Sequence, residues 1–253
     1  MPLAGGSVAA SVVRVGDTVR RSTERWSPAV HLLLLHLEAV GFDGAPRFLG
    51  VDDRDREVLS WIEGTSATRP WPKALLTERG VRELVRLLRS FHDAVSTFVP
   101  PADAEWWTGA RALRPGETVI HGDVGPWNSL WRDGKPVAFI DWDFAEPELA
   151  IMDLAELAYF VTPMRDDEHG RECGFEATPD RRARLAAICD EYGALSPSEV
   201  LDAMEQHLAA DSERTARLGP LGVKPWDGFY RRRNHERGAT VLAWPRENRH
   251  LAE

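Results

Sequence analysis

The stretch VIHGDVGPWNSLWRDGKPVAFIDWD, residues 119–143, decides how the rest of this chain is read. Asp133-Gly134 at its centre is a two-residue hairpin signal, because the tight turn needs φ > 0 and this pair tolerates it. Ser129-Leu130-Trp131-Arg132 and Val137-Ala138-Phe139-Ile140 supply the two strands. With that turn as the register, Asn128 lies opposite Phe139. Asp141 shares a face with Phe139, since side chains two apart point the same way. The hairpin is therefore expected to bring an amide oxygen (Asn128) and a carboxylate (Asp141) to one point at its open end. Such a donor set, completed by water and phosphate oxygens, suits Mg2+. Asp123, five residues before Asn128, sits in the loop that enters the same place.

A catalytic Asp five positions before a metal-binding Asn, with a second metal-binding Asp beyond a hairpin, is the spacing of a protein-kinase catalytic loop. His121-Gly122-Asp123 with Asn128, followed by Ile140-Asp141-Trp142-Asp143, closely resembles the aminoglycoside phosphotransferase and choline kinase-like family. Pro147 to Ala155, where Asp153 precedes Leu154-Ala155, extends the likeness. The resemblance implies a bilobal α+β protein kinase-like fold. A small antiparallel-sheet N-lobe would span 1–63, and a larger helical C-lobe over 64–253 would carry the catalytic loop, the metal motif and the acceptor site. It implies ATP or GTP with Mg2+, and a small-molecule hydroxyl acceptor, an antibiotic such as an aminoglycoside or nucleoside antibiotic foremost. Asp123 would take or orient the acceptor's proton, and Asn128 and Asp141 would hold the metal. His121 would secure the catalytic loop by hydrogen bonding, and Asp153 would brace its backbone.

Toward the N-terminus, Ala9 to Val15, a Gly16-Asp17 turn and Thr18 to Arg21 read as a hairpin. Ser27-Pro28 opens a helix as N-cap and first-turn proline, Val30, Leu33, Leu34, Leu37 and Val40 form its apolar stripe, and Gly41 ends it. Pro46–Val51 and Glu57–Ile62 read as two more strands, and the turn-rich Glu63–Pro72 segment as a boundary. Helical patterns follow at Leu76–Val95, Pro147–Phe160, Asp180–Tyr192 and Ser196–Ala210. On the family pattern, Gly5-Gly6-Ser7 would form a glycine loop over the nucleotide phosphates, with a plain chain terminus as the alternative. Trp61-Ile62 would offer hinge backbone groups to the purine, with ordinary strand packing as the alternative.

Two departures stand out. The family's N-lobe lysine against the nucleotide phosphates is missing, because the first lysine of this chain is Lys73. Arg20 is the nearest positional substitute, with Arg21 expected on the other side of the strand. The helix over 27–40 also lacks an acid at Val30 or His31, where the pattern places one. The glycine loop, paired valines and Arg-Arg also resemble proteins labelled trifolitoxin-immunity-like within the superfamily. A kinase-fold binding or immunity protein without phosphotransfer is thus the alternative.

Among 253 residues, 40 Asp and Glu outnumber 31 Lys and Arg, a net charge of −9 that disfavours a general nucleic-acid partner. The longest apolar run, within HLLLLHLEAV, is too short to span a bilayer, and no secretory pattern is read at the start. The two cysteines, Cys173 and Cys189, lack metal-ligand spacing and suit free thiols in the cytoplasm. Asp190, Glu191, Asp202, Glu205 and Asp211 offer acidic helical faces for a cationic acceptor, although solvated helix faces look the same. Trp226-Asp227, Arg231-Arg232-Arg233 and Trp106-Trp107 are further candidates for acceptor contacts.

Overall fold

The computed structural model describes residues 12–232 and 238–253. Strands β1 (Val12–Val15) and β2 (Thr18–Ser22) form the expected hairpin, with Gly16 at φ 59° in its turn. Helix α1 (Ser27–Ala39) follows and buries Val30, Leu33, Leu34 and Leu37. Each such leucine contributes roughly 1.5–3 kcal/mol of apolar burial, which outweighs the weak local helix signal. Ser27 lies inside the first turn rather than capping it, and its Oγ accepts the Glu24 N–H. Strands β3 (Phe48–Val51) and β4 (Arg56–Ser60) complete an antiparallel sheet in the order β1-β2-β4-β3. Its register sets Arg21 opposite Glu57 and Val19 opposite Leu59.

β5 (Thr65–Ser66) precedes α2 (Glu78–Val95), and β6 (Glu105–Trp106) and β7 (Gly109–Ala110) make a short ribbon. β8 (Thr118–Ile120) leads into the loop that carries Asp123, and β9 (Ser129–Arg132) and β10 (Lys135–Phe139) are the hairpin after it, joined by Asp133-Gly134 with both φ positive. The register differs from the expected one. A bulge between Pro136 and Ala138 shifts the pairing by one residue, so Phe139 faces Ser129 and not Asn128. Proline has no N–H for the ladder and is tolerated in sheets at edges and bulges, and β10 is the edge of the order β10-β9-β5. The Ile140 N–H instead donates to the Asn128 carbonyl at 2.9 Å, so Asn128 is tied to the residue just before Asp141.

The helix expected from Pro147 begins later, because Glu146–Glu148 forms β11 and pairs with β8. α3 then runs Ile151–Val161, followed by α4 (Asp167–Glu172), α5 (Arg181–Tyr192) and α6 (Pro197–Leu218). Ser196 and Glu199 form a reciprocal capping box on α6, which continues past the expected end at Ala210. α7 (Trp226–Arg231) and α8 (Gly238–Glu247) close the chain.

Packing divides the protein into two compact units. One comprises the chain up to Thr68 with Arg86–Asp153, and the other comprises Arg69–Val85 with Leu154–Glu253. The first contains the four-stranded sheet and the hairpin segment over residues 119–143, with Leu33, Leu88, Phe91, Trp106, Phe139 and Trp142 in its core. The second is helical and is pinned by Arg184, whose buried guanidinium donates to the carbonyls of Val161, Leu75 and Leu76. Burial lowers that guanidinium's pKa to about 10. Cys173 and Cys189 are buried free thiols of this unit. Among the described residues no helix is long and apolar enough to cross a membrane.

Candidate active site

One carboxylate holds the loop over residues 121–128. Asp153, fully buried in α3, accepts the His121 N–H at 2.8 Å, the Gly122 N–H at 2.9 Å and His92 Nε2 at 3.2 Å. Burial pushes its pKa up, but His92, His121 and these donors outweigh burial and hold it below the ordinary carboxylate value. Gly122 is required where it stands: its φ is +76°, and a Cβ there would lie 2.1 Å from the Phe144 carbonyl oxygen. His121 Nδ1 accepts the Asp123 N–H at 3.3 Å, so Nε2 carries the proton and donates to the Ile140 carbonyl at 3.1 Å. Burial lowers the pKa of this imidazole, which keeps it neutral and structural.

Asp123 stands at the mouth of this loop. Its Oδ1 accepts Trp127 Nε1 at 3.2 Å, and its carbonyl accepts Asn128 Nδ2 at 2.9 Å. Burial and the neighbouring Asp141 charge raise its pKa to about 7, against hydrogen bonds from Asn128 and Trp127 that lower it. Asn128 itself ends a 3-10 turn over Pro126–Asn128. Asp141 adopts a left-handed conformation, φ 64° and ψ 68°, which Asp tolerates better than most residues. This conformation breaks the strand before the 3-10 turn Trp142–Phe144.

The cation at this site is Arg21, not Arg20. Arg21 Nη1 donates to Asp141 Oδ1 at 3.0 Å and to Asp143 Oδ2 at 2.9 Å, while Nη2 reaches Asp143 Oδ1 at 2.9 Å. Nε donates to Glu57 Oε1. Glu57 Oε2 lies 2.6 Å from His31 Nε2, and the imidazole stacks on Phe48 at 3.7 Å between centroids. Trp26 Nε1 donates to Asp143 at 3.3 Å. Burial disfavours the guanidinium charge, but Asp143, Glu57 and Asp141 overcome it and raise its pKa. Asp143 moves up to about 6, chiefly by burial, with Arg21 pulling the other way. Glu57 ends below its ordinary value because His31 and Arg21 outweigh its burial. His31 thus backs Glu57, the β4 acid that Arg21 meets.

Arg20 points to the other face of β2 and pairs with Asp52 at 3.1 Å, away from Asp141. Arg21, and not the expected Arg20, therefore lies beside Asp141, because strand alternation follows the buried face shared by Glu57 and Leu59. A charged residue in phase with a buried leucine on β4 was the signal: it demanded an inward cation opposite. Trp61 is clasped by its own sheet, with Arg14 stacked at 4.0 Å over the ring and Nε1 donating to Glu63 at 2.6 Å. Ile62 follows, half-buried. Gly5, Gly6 and Ser7 lie outside the described residues, as does Arg233.

Most of the acidic residues singled out for an acceptor are occupied. Asp190 and Glu191 face Arg82, Asp202 pairs with Arg249, and Glu205 pairs with Arg246 and Arg249. Asp227 pairs with Arg231. Asp211 differs, since burial raises its pKa against the pull of Arg214. Trp106 is core, and Trp107 packs edge-on against Phe144.

The donor set fits a hard divalent cation. Asn128 uses its Nδ2 on Asp123, which leaves its amide oxygen as a ligand atom, and Asp141 offers a carboxylate one residue from the Asn128–Ile140 bond. Among the described residues no three His, Cys, Asp or Glu side chains gather at metal-ligand geometry. Mg2+ bound with a nucleotide needs only one or two carboxylates.

Residues 97–188 match the family described as phosphotransferase enzymes. A trifolitoxin immunity protein of Rhizobium leguminosarum bv. trifolii is 38% identical over 189 residues, 72% of this chain and 70% of the relative. The chain belongs to the phosphotransferase enzyme family. Among solved structures, the GDP complex of aminoglycoside 2'-phosphotransferase-IIIa superposes with a TM-score of 0.60 at 13% identity, covering 98% of this chain and 92% of that one. A choline/ethanolamine kinase family protein of Mesorhizobium loti gives 0.53 at 18% identity, with 98% and 90% covered. An amicoumacin kinase complexed with AMP-PNP and Ca2+ gives 0.61 at 10% identity, with 93% and 87% covered. The fold is accordingly the bilobal α+β fold of the kinase-like class.

Proposed function

We propose that this protein transfers the γ-phosphoryl group of ATP or GTP to a hydroxyl of a small molecule, with an antibiotic such as an aminoglycoside or nucleoside antibiotic as the favoured acceptor. The observation that carries this reading is the placement of Asp123: its carbonyl accepts Asn128 Nδ2 and its carboxylate accepts Trp127 Nε1, in a loop whose backbone Asp153 fixes at His121 and Gly122. A carboxylate so placed can accept a proton from an alcohol as the alcohol becomes a nucleophile. The acceptor oxygen forms its bond to the γ-phosphorus, its proton passes to the Asp123 carboxylate, and the bond to the β-phosphate bridging oxygen breaks, releasing the nucleoside diphosphate. Asn128 and Asp141 would hold Mg2+, which would supply neutralisation of charge on the phosphoryl oxygens. Arg21 supplies a second positive charge beside Asp141. Trp127 orients the base through its Asp123 bond. The buried free thiols of Cys173 and Cys189 suit the reducing cytoplasm.

The test is a phosphate-transfer screen over aminoglycosides, nucleoside antibiotics and amino alcohols, comparing the wild-type protein with Asp123→Asn. Acceptor-dependent phosphorylation lost in the variant supports the reading, and transfer retained in the variant overturns it. A second reading, a binding or immunity protein on a kinase fold, is favoured by the 38% identical immunity protein and by Arg21 standing on Asp141 in place of the family lysine. Ligand binding without phosphate transfer by the wild type decides for it.

A further inference from the structure

The cluster around Arg21 holds three carboxylates, Glu57, Asp141 and Asp143, against one guanidinium, with His31 behind Glu57 and Trp26 on Asp143. The four bonds of the guanidinium are unequally shared. Asp143 takes a two-pronged fork and Glu57 takes Nε, whereas Asp141 takes only one arm of an Nη1 already donating to Asp143. Exposure runs the same way: the Asp141 side chain is 23% exposed, against 5% for Asp143 and 1% for Glu57. Asp141 is therefore the open, detachable member of a cluster that keeps its grip on Arg21 through the other two.

We propose that Arg21 is a resident cation that opposes a divalent ion at Asp141 and Asn128 until nucleotide phosphates arrive. The inference rests on the metal site assigned to Asn128 and Asp141 above. A divalent ion ligated by Asp141 would sit within a few ångströms of a fixed guanidinium, and the two charges repel in this half-buried setting. A nucleotide brings phosphate oxygens that serve both cations at once, so metal and nucleotide bind cooperatively and either one alone binds weakly. Asp143 and Glu57 hold the guanidinium in place when Asp141 turns to the metal. A compact lysine ammonium has no planar fork with which to span Asp143, Glu57 and Asp141 together, so this device depends on arginine.

The experiment is a Mn2+ titration of the full chain without nucleotide, read by the electron paramagnetic resonance signal of free Mn2+. Arg21→Gln is expected to bind Mn2+ at least tenfold more tightly than wild type. Arg21→Lys, which keeps the charge and so protects folding, is expected to tighten it by a smaller factor, about threefold. Adding Asp141→Asn to either variant abolishes the gain. Affinity in both variants equal to or weaker than wild type overturns the proposal, as does Mn2+ binding by neither wild type nor variants at millimolar concentration. If Arg21→Gln does not fold, Arg21→Lys decides alone. The outcome separates cleanly from the phosphotransfer reading. Tightened Mn2+ binding with no acceptor phosphorylated leaves Arg21's role standing in a protein that does not transfer phosphate. Phosphorylation with Mn2+ affinity unchanged by either variant leaves the enzyme standing without this role.

Discussion

Asp153 and Asp123 lie 30 residues apart in one continuous segment, and their surroundings treat them in opposite ways. Burial raises both, yet Asp153 ends below the ordinary carboxylate range and Asp123 near neutrality. The difference lies in what faces each charge. Asp153 meets two backbone N–H groups and two histidines, whereas Asp123 meets a tryptophan N–H, an asparagine and the like charge of Asp141. One carboxylate is thus solvated by the protein and holds the backbone, and the other is left under-solvated, as the proposed proton acceptor requires.

The sharpest break in that comparison is Asp123→Asn, which is expected to lower the phosphate-transfer rate by about 10³-fold, within the usual range for loss of a general base. Steady-state kinetics with any acceptor found in the screen will measure it. On the structural side, Asp153→Ala leaves two backbone donors and His92 facing a void, and should cost about 3–5 kcal/mol in urea unfolding, as breaking a buried charged contact does. Gly122→Ala forces a side chain into a left-handed position against the Phe144 carbonyl and should cost about 1–3 kcal/mol by the same measurement.

The two carboxylates also predict opposite pH dependences in the metal- and nucleotide-free protein. Asp153 has a depressed folded pKa, so its contribution is present above the unfolded value of 3.8 and is lost as pH falls through the lower folded value. Asp123 has a raised folded pKa, so ionising it costs stability as pH rises from 3.8 toward about 7. Melting temperatures should therefore fall between pH 4 and 7 more steeply in wild type than in Asp123→Asn. An identical slope in the two proteins would contradict the assigned shift. The smallest effect belongs to Arg20→Ala, which removes a part-buried pair to Asp52 that Arg56 also holds, and should leave the melting temperature near that of wild type with transfer unaffected.

Much of this site was legible because its information is local. The five-residue interval from Asp123 to Asn128, the Asp-Gly turn and the Asp153 pattern all lie within 35 residues, where spacing alone limits what can meet. The register was less so: Pro136 absorbs an extra residue in a bulge, and the loop bond from Ile140 to Asn128 replaces the strand pairing expected of Asn128. The convergence at the hairpin's end therefore comes from a 3-10 turn and a left-handed Asp141 rather than from a shared strand face.

From its amino acids alone the chain determined the Asp-Gly hairpin, the main helices, the Asp123–Asn128 interval and the absence of a lysine before Lys73, since propensity, turn chemistry and short intervals act along the chain. Tertiary structure alone decided which arginine is inside. Arg20 and Arg21 are neighbours of the same chemistry, and only the pairing of β2 with β4, which sets Arg21 across from buried Glu57 and within reach of Asp141 and Asp143, breaks that tie. A strand's two faces are equivalent until a partner strand and a core assign one of them to the interior.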